Sequence, residues 1–140
     1  MEIFSVFSLE KQLIDQLIES FFRDQSIRFT GKDDDTIYFE STTEDKMAFY
    51  LHFENDLEEE LRINYDLREQ EFLKCFFGEK KPFLLDISYK EPDLLYQILS
   101  EFVQVIEVDY REQGTPLLFS DPFEGFVEIG GMGLKQVADE

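Results

Sequence analysis

The sequence predicts an α+β fold: a mainly antiparallel sheet, which one strand–helix–strand passage allows to be mixed, with an N-terminal helix and two further short helices packed on one face. Three observations lead there. Apolar residues near the N-terminus recur every three to four positions, the period of a helix face. From Ser26 onward the period drops to two, the alternation of a strand, and the connections between successive runs are too short for a parallel crossover. Finally, 43% of the 140 residues are hydrophobic, with 16 Phe and 6 Tyr, which is enough to fill a core and escape the composition of disordered chains.

Leu9, Leu13, Ile14, Leu17, Ile18, Phe21 and Phe22 fall on one side of the first helix. Ser8 is its expected N-cap, and Lys11, Asp15, Glu19 and Arg23 form its solvated side. Four strands then follow as a meander: Ile27 and Phe29; Ile37 and Phe39; Met47, Phe49, Leu51 and Phe53; Leu61, Ile63 and Tyr65. Gly31–Asp35 and Ser41–Asp45 supply turns. The alternate positions, Arg28, Tyr38, Glu40, Tyr50, His52, Arg62 and Asn64, are polar or amphipathic, as expected of a sheet with one wet face.

Asp66-Leu67-Arg68-Glu69 has the spacing of a reciprocal capping box and opens a second, short helix carrying Leu73, Phe76 and Phe77 before Gly78. Phe83, Leu85, Ile87 and Tyr89 alternate as a further strand. Pro92 opens a third helix through Phe102, and Val103 to Tyr110 reads as the next strand, an order compatible with a parallel crossover. Leu117–Phe119 and Phe126–Ile129 form a closing hairpin. Residues 1–130 are expected to form one domain, since a chain of this length buries roughly two-thirds of its unfolded surface in one core. Residues 131–140, small and charged, read as a flexible tail.

The net charge is −19, from 32 acidic and 13 basic side chains. It is not a tail, because residues 1–70 hold 18 of the acids and 7 of the bases. A small domain stays soluble with about 2–8 net charges, so the excess points to a basic partner. Direct nucleic-acid binding is disfavoured, because phosphate affinity comes from Lys and Arg and Lys80-Lys81 is the sole adjacent basic pair. Membrane association is disfavoured too: no apolar run approaches about 20 residues, and a negative surface is repelled by anionic headgroups. The lone Cys75 excludes an intramolecular disulfide and suits a reducing compartment, so a cytoplasmic location is expected.

The densest acidic stretch is Glu54-Asn55-Asp56-Leu57-Glu58-Glu59-Glu60, read as a loop between two strands. Asp33-Asp34-Asp35 occupies the first turn of the meander and Glu44-Asp45 the next. Alternate turns fall at opposite ends of a meander, so Glu54–Glu60 should share an end with Asp33–Asp35. The candidate partner-binding set is therefore Asp33, Asp34, Asp35, Glu54, Asp56, Glu58, Glu59 and Glu60, with Tyr38 and Tyr50 as aromatic anchors chosen from strand parity. No metal is expected: neither acidic loop has the EF-hand order of alternate acids, sixth-position Gly and twelfth-position Glu, and one His with one Cys makes no conventional zinc site. Gly130-Gly131-Met132-Gly133 lacks the Lys-Ser/Thr ending of a phosphate loop, so no cofactor is expected. Cys75 reads as a small buried hydrophobe beside Phe72, Phe76 and Phe77, and no catalytic residue is assigned, His52 included.

In size, whole-chain charge and the acidic segments Asp33–Asp35 and Glu54–Glu60, the chain resembles the bacterial immunity proteins that neutralise polymorphic or contact-dependent growth-inhibition toxins. The resemblance implies a stoichiometric inhibitor without turnover, covering a basic nuclease-like active site. Two alternatives stand beside it. One is a secretion-type chaperone or adaptor clamping an extended segment on an apolar face; the other is a small hydrolase using His52 or paired carboxylates.

Overall fold

The computed structural model describes residues 2–43, 47–113, 117–122, 125–130 and 133–136, with backbone alone in 105–113, 127–130 and 133–136. The chain runs β1 (Glu2–Ser8), α1 (Lys11–Arg23), β2 (Ile27–Asp33), β3 (Thr36–Ser41), β4 (Met47–Glu54), α2 (Leu57–Asn64), α3 (Leu67–Phe77), β5 (Phe83–Tyr89), α4 (Pro92–Gln113), β6 (Leu117–Asp121), β7 (Gly125–Gly130) and β8 (Gly133–Gln136). Its strands form one sheet in the order β2-β3-β4-β5-β1-β6-β7-β8, and every neighbouring pair is antiparallel. The α+β class and the antiparallel sheet agree with the sequence reading; among the described residues no parallel pair makes the sheet mixed.

β1, which no alternation in the sequence marks as a strand, occupies the middle of the sheet between β5 and β6. Its alternation is hidden because both faces are covered. Phe4 and Val6 enter the core cluster under α1 and α4, whereas Phe7 enters a second cluster under α2 and α3. Ser8 ends this strand and does not cap the helix with which it was associated. Its Oγ accepts from the Glu10 amide and donates to the Glu10 carbonyl, both at 3.0 Å, turning the chain into α1.

The helices lie on both faces, a departure from the expected single layer. On one face α1 buries Leu13, Ile14, Leu17, Ile18 and Phe21, and α4 buries Leu95, Ile98, Leu99, Phe102 and Val103. Each fully buried apolar side chain of this kind contributes roughly 1.5–3 kcal/mol. Phe21 sits edge-on to Phe49 at 5.1 Å between ring centres and tilted against Phe39 at 5.8 Å. Val103 to Tyr110, expected as a strand, continues α4: Val103 is buried in helical period with Leu95, Ile98, Leu99 and Phe102, and that packing outweighs its own β propensity. The crossover idea survives in altered form. β5 and β6 are both antiparallel to β1, so α4 joins two strands of like direction with β1 between them.

On the other face α2 and α3 cover the β1, β5, β6 and β7 side through Phe7, Leu73, Phe77, Leu84, Leu118 and Phe126. α2 replaces the fourth strand read from Leu61, Ile63 and Tyr65. Asp56 accepts the Glu59 amide at 3.1 Å as an N-cap, and Glu58, Glu59 and Glu60 sit in the first turn, where the helix dipole favours acids. The alternation was coincidental, since Ile63 is 65% exposed. The α3 capping box forms as expected, with Glu69 N donating to Asp66 Oδ1 at 2.8 Å and Asp66 N donating to Glu69 Oε1 at 3.0 Å. The closing hairpin is β6–β7, and 133–136, expected within a tail, pair with β7 as β8.

Candidate functional site

The β2–β3 hairpin turns at Asp34-Asp35, and Asp34 adopts φ +48°, a left-handed conformation that Asp tolerates better than most residues. This turn is fastened to the β4–α2 junction. Phe53 N donates to the Asp35 carbonyl at 2.9 Å, and the Asn55 side-chain amide donates to the Asp35 carboxylate. Asp33–Asp35 and Glu54–Asp56 thus share one end of the sheet, as the meander required. Asp33, Asp34, Asp56, Glu58 and Glu59 are exposed there. Lys81 Nζ lies 3.0 Å from Glu58, and Arg62 lies 4.0 Å from Glu59; such exposed pairs are weak and leave the end strongly anionic. Glu44-Asp45, expected at the opposite end, lies outside the described residues.

The segment 54–60 is a strand end followed by a helix, not a loop, and this splits its carboxylates into two groups. Glu58 and Glu59 face solvent. Glu54 and Glu60 turn toward β5, where Asp86 joins them, and the three carboxylates each offer an oxygen within 4.8 Å of the others. Asp86 lies outside both acidic segments that the sequence singles out.

Register explains the convergence. Thr36, His52, Asp86, Ser5 and Ser120 are direct partners across β3, β4, β5, β1 and β6, forming one polar row on the α2 side of the sheet. Ser5 Oγ donates to Asp86 Oδ1 at 2.6 Å, and Thr36 Oγ1 lies 2.9 Å from His52 Nδ1. His52 Nε2 stands 4.0 Å from Glu54. Asn64 donates to Glu60 Oε1 at 2.7 Å. Tyr65 closes the row beside Ser5 and Ser120, and burial pushes its phenol up.

Burial, then the charges of Asp86 and Glu54, push the Glu60 carboxyl up to about 7. Burial also raises Asp86, with the Ser5 hydrogen bond working against it. Near neutral pH the cluster therefore retains a proton that an exposed carboxylate would have lost.

One row further along the same face, Tyr38 and Tyr50 are direct partners, edge-to-face with ring centres 5.1 Å apart. Both are half-buried, and β2, β3 and β4 contribute nothing to the α2–α3 cluster. The wet face is thus the half of the sheet bearing the two tyrosines, next to the acidic end. Cys75, expected to be buried, is exposed on α3, and the partners of His52 are Thr36 and Glu54. Gly130 pairs with Gly133, so the Gly-rich stretch joins two strands and opens no helix. Among the described residues, no helix is long and apolar enough to cross a membrane.

Comparison with known proteins yields no match to a family model, to a curated protein or to a solved structure.

Proposed function

We propose that this chain is an acidic, stoichiometric protein-binding inhibitor, an immunity protein that neutralises a cognate basic, nuclease-like toxin in the cytoplasm by occluding its active site. One observation carries the reading: the Asp33–Asp35 turn and the Glu54–Asp56 junction are tied together through Asp35 and Asn55, beside an uncovered sheet face with a tyrosine pair at its centre. An anionic rim beside amphipathic aromatic side chains is the arrangement expected of a surface that steers a cationic partner and then anchors it. Steering of this kind raises association rates by about 10- to 1,000-fold.

The test is position-specific charge reversal. The protein and the basic product of a neighbouring gene are measured for binding at about 0.1 and 1 M salt, where the screening length falls from roughly 10 to 3 Å. Reversing Asp33, Asp34, Glu58 and Glu59 to Lys should slow association at least tenfold at low salt, whereas reversing the exposed helix acids Glu19 and Glu101 should leave it within about twofold. Equal effects from both sets, or an association rate indifferent to salt, would remove the acidic end from the reading.

A second reading has one observation in its favour. Glu60, pushed up to about 7 beside Asp86, Glu54 and His52, has the character of a general acid next to a base, as a small hydrolase needs. It predicts turnover of nitrophenyl ester or glycoside substrates that Glu60→Gln abolishes with folding intact. No turnover by the unaltered chain would dismiss it.

A further inference from the structure

Beside the acidic end, with which it shares Leu57 and Glu58, α2, α3 and the 78–82 connection line a half-open cavity of about 650 Å³, within the roughly 300–1,000 Å³ range of small-molecule sites. Its floor is Phe7, fully buried in the central strand, and its walls are Leu57 and Leu61 of α2 with Leu73 and Phe77 of α3. These side chains offer carbon and no hydrogen-bonding group, so the interior suits an unbranched or aromatic hydrocarbon and gives no return for desolvating a polar one.

The mouth has the opposite character. Lys74, Lys80 and Lys81 stand there with Glu58 and Glu79, a local positive excess on a molecule whose net charge is −19. Lys81 is engaged with Glu58 at 3.0 Å, a pair that spans from α2 to the connection. Lys74 and Lys80 have no ion-pair partner among the described residues, and Lys74 lies in the last turn of α3, where free carbonyls favour a cation. With Lys81 and Glu58 paired, Lys74 and Lys80 outweigh Glu79 and leave the mouth net positive over an apolar interior, which suits an amphiphile with an anionic head.

We infer that the α2–α3 cavity binds a single-chain fatty acid, its hydrocarbon lying along Phe7, Leu61 and Phe77 and its carboxylate between Lys74 and Lys80. The ligand is a free monomer and not a bilayer: the surrounding negative charge repels an anionic membrane, and the cavity accepts one chain from the mouth inward.

The chain contains no Trp, so Leu57→Trp places a single reporter in the wall of the cavity. Titration with 12-bromododecanoate below its micelle concentration should quench that fluorescence saturably, and calorimetry of the unaltered chain with dodecanoate should give one site per molecule. The double variant Lys74→Glu/Lys80→Glu, both positions exposed and outside the core, should keep its circular dichroism and bind dodecanoate at least about tenfold more weakly, the loss expected when charge-assisted hydrogen bonds to the head group are removed. Dodecyltrimethylammonium, with the same tail and a cationic head, should bind more weakly than dodecanoate. Absence of saturable binding to both the reporter variant and the unaltered chain, affinity unchanged by the charge reversal, or equal affinity for the cationic amphiphile would overturn the inference. Co-sedimentation with anionic phospholipid vesicles in the absence of free fatty acid binding would overturn it in favour of a lipid surface.

Discussion

Ser5 and Asp86 are 81 positions apart in sequence and joined by a 2.6 Å hydrogen bond across the β1–β5 register. Asp86 is the one carboxylate of the converging three that comes from the interior of a strand, and Ser5 is buried. Its hydroxyl stabilises the ionised form of Asp86 against the burial that opposes it. Ser5→Ala should therefore destabilise the protein by about 1–3 kcal/mol, more at pH 8 than at pH 4, because the lost hydrogen bond favours the ionised form of Asp86 and ionisation increases with pH. Urea midpoints at the two values check both the loss and its pH dependence; an equal loss at both would show that the hydroxyl acts by packing alone.

Glu60 gives the pH dependence a defined window. Its folded-state carboxyl titrates at about 7 against an ordinary 4.5, so between those values the folded protein holds a proton that the unfolded chain has released. Stability from this group is therefore highest at and below pH 4.5, declines as pH rises toward 7, and is level above that. Because Glu60 is only partly buried, the decline is of order 1 kcal/mol after allowance for solvent screening. The burial-raised carboxyl of Asp86 acts in the same direction. Glu60→Gln should flatten the stability curve between pH 5 and 8, while Glu58→Gln, which removes the same charge from an exposed position on the same helix, should leave its slope in place. If the two variants behave alike in denaturation across that range, general charge repulsion and not the local cluster governs the slope.

Local signals were legible where one principle dominated. The α1 stripe, the alternation in β3, β4 and β5, and the Asp66–Glu69 capping box each follow from residues close in sequence, and the structure forms all of them. The shared acidic end was also legible, because two short turns fix the ends of a meander. β1 was not, because a strand buried on both faces loses its alternation, and α2 was misread because Leu61, Ile63 and Tyr65 mimic period two inside a capped helix. The polar row was invisible for a different reason: it depends on β1 lying beside β5 and β6, which no local pattern specifies. A sign of it was present in Ser5 and Asp86, two polar residues inside otherwise apolar strand segments.

The two consecutive helices on the α2–α3 face depend on their caps, since each is short and α2 buries no residue fully. Asp66→Ala removes the half of the capping box in which the Asp66 carboxylate accepts the Glu69 amide, leaves the backbone amide of residue 66 free to donate to Glu69, and should cost about 1 kcal/mol. Asp56→Ala should cost a similar amount and, because Asp56 begins the helix carrying Glu60, should also shift the carboxylate cluster toward ordinary titration. Thermal denaturation gives the first quantity, and carboxyl carbon chemical shifts followed against pH give the second. An Asp56→Ala variant that loses stability while Glu60 still titrates near 7 would separate the cap from the cluster.

Tyr38 and Tyr50 separate steering from anchoring in the proposed inhibitor. Charges at the acidic end act over several ångströms before contact and set the association rate, whereas aromatic side chains at the centre of a surface act after docking and set residence time. The two rings brace one another edge-to-face across paired strands, so each holds the other in a fixed orientation and little side-chain entropy is lost on binding. Tyr50→Ala should therefore shorten the lifetime of a complex with the basic partner by tenfold or more while changing the association rate less than twofold. Reversal of Asp33, Asp34, Glu58 and Glu59 should show the converse division. Surface plasmon resonance at two salt concentrations resolves both rates. If Tyr50→Ala leaves dissociation unchanged while the reversals still slow association, the partner docks on the acidic end without reaching the tyrosine row, and the occluding surface is confined to the α2 side of that end.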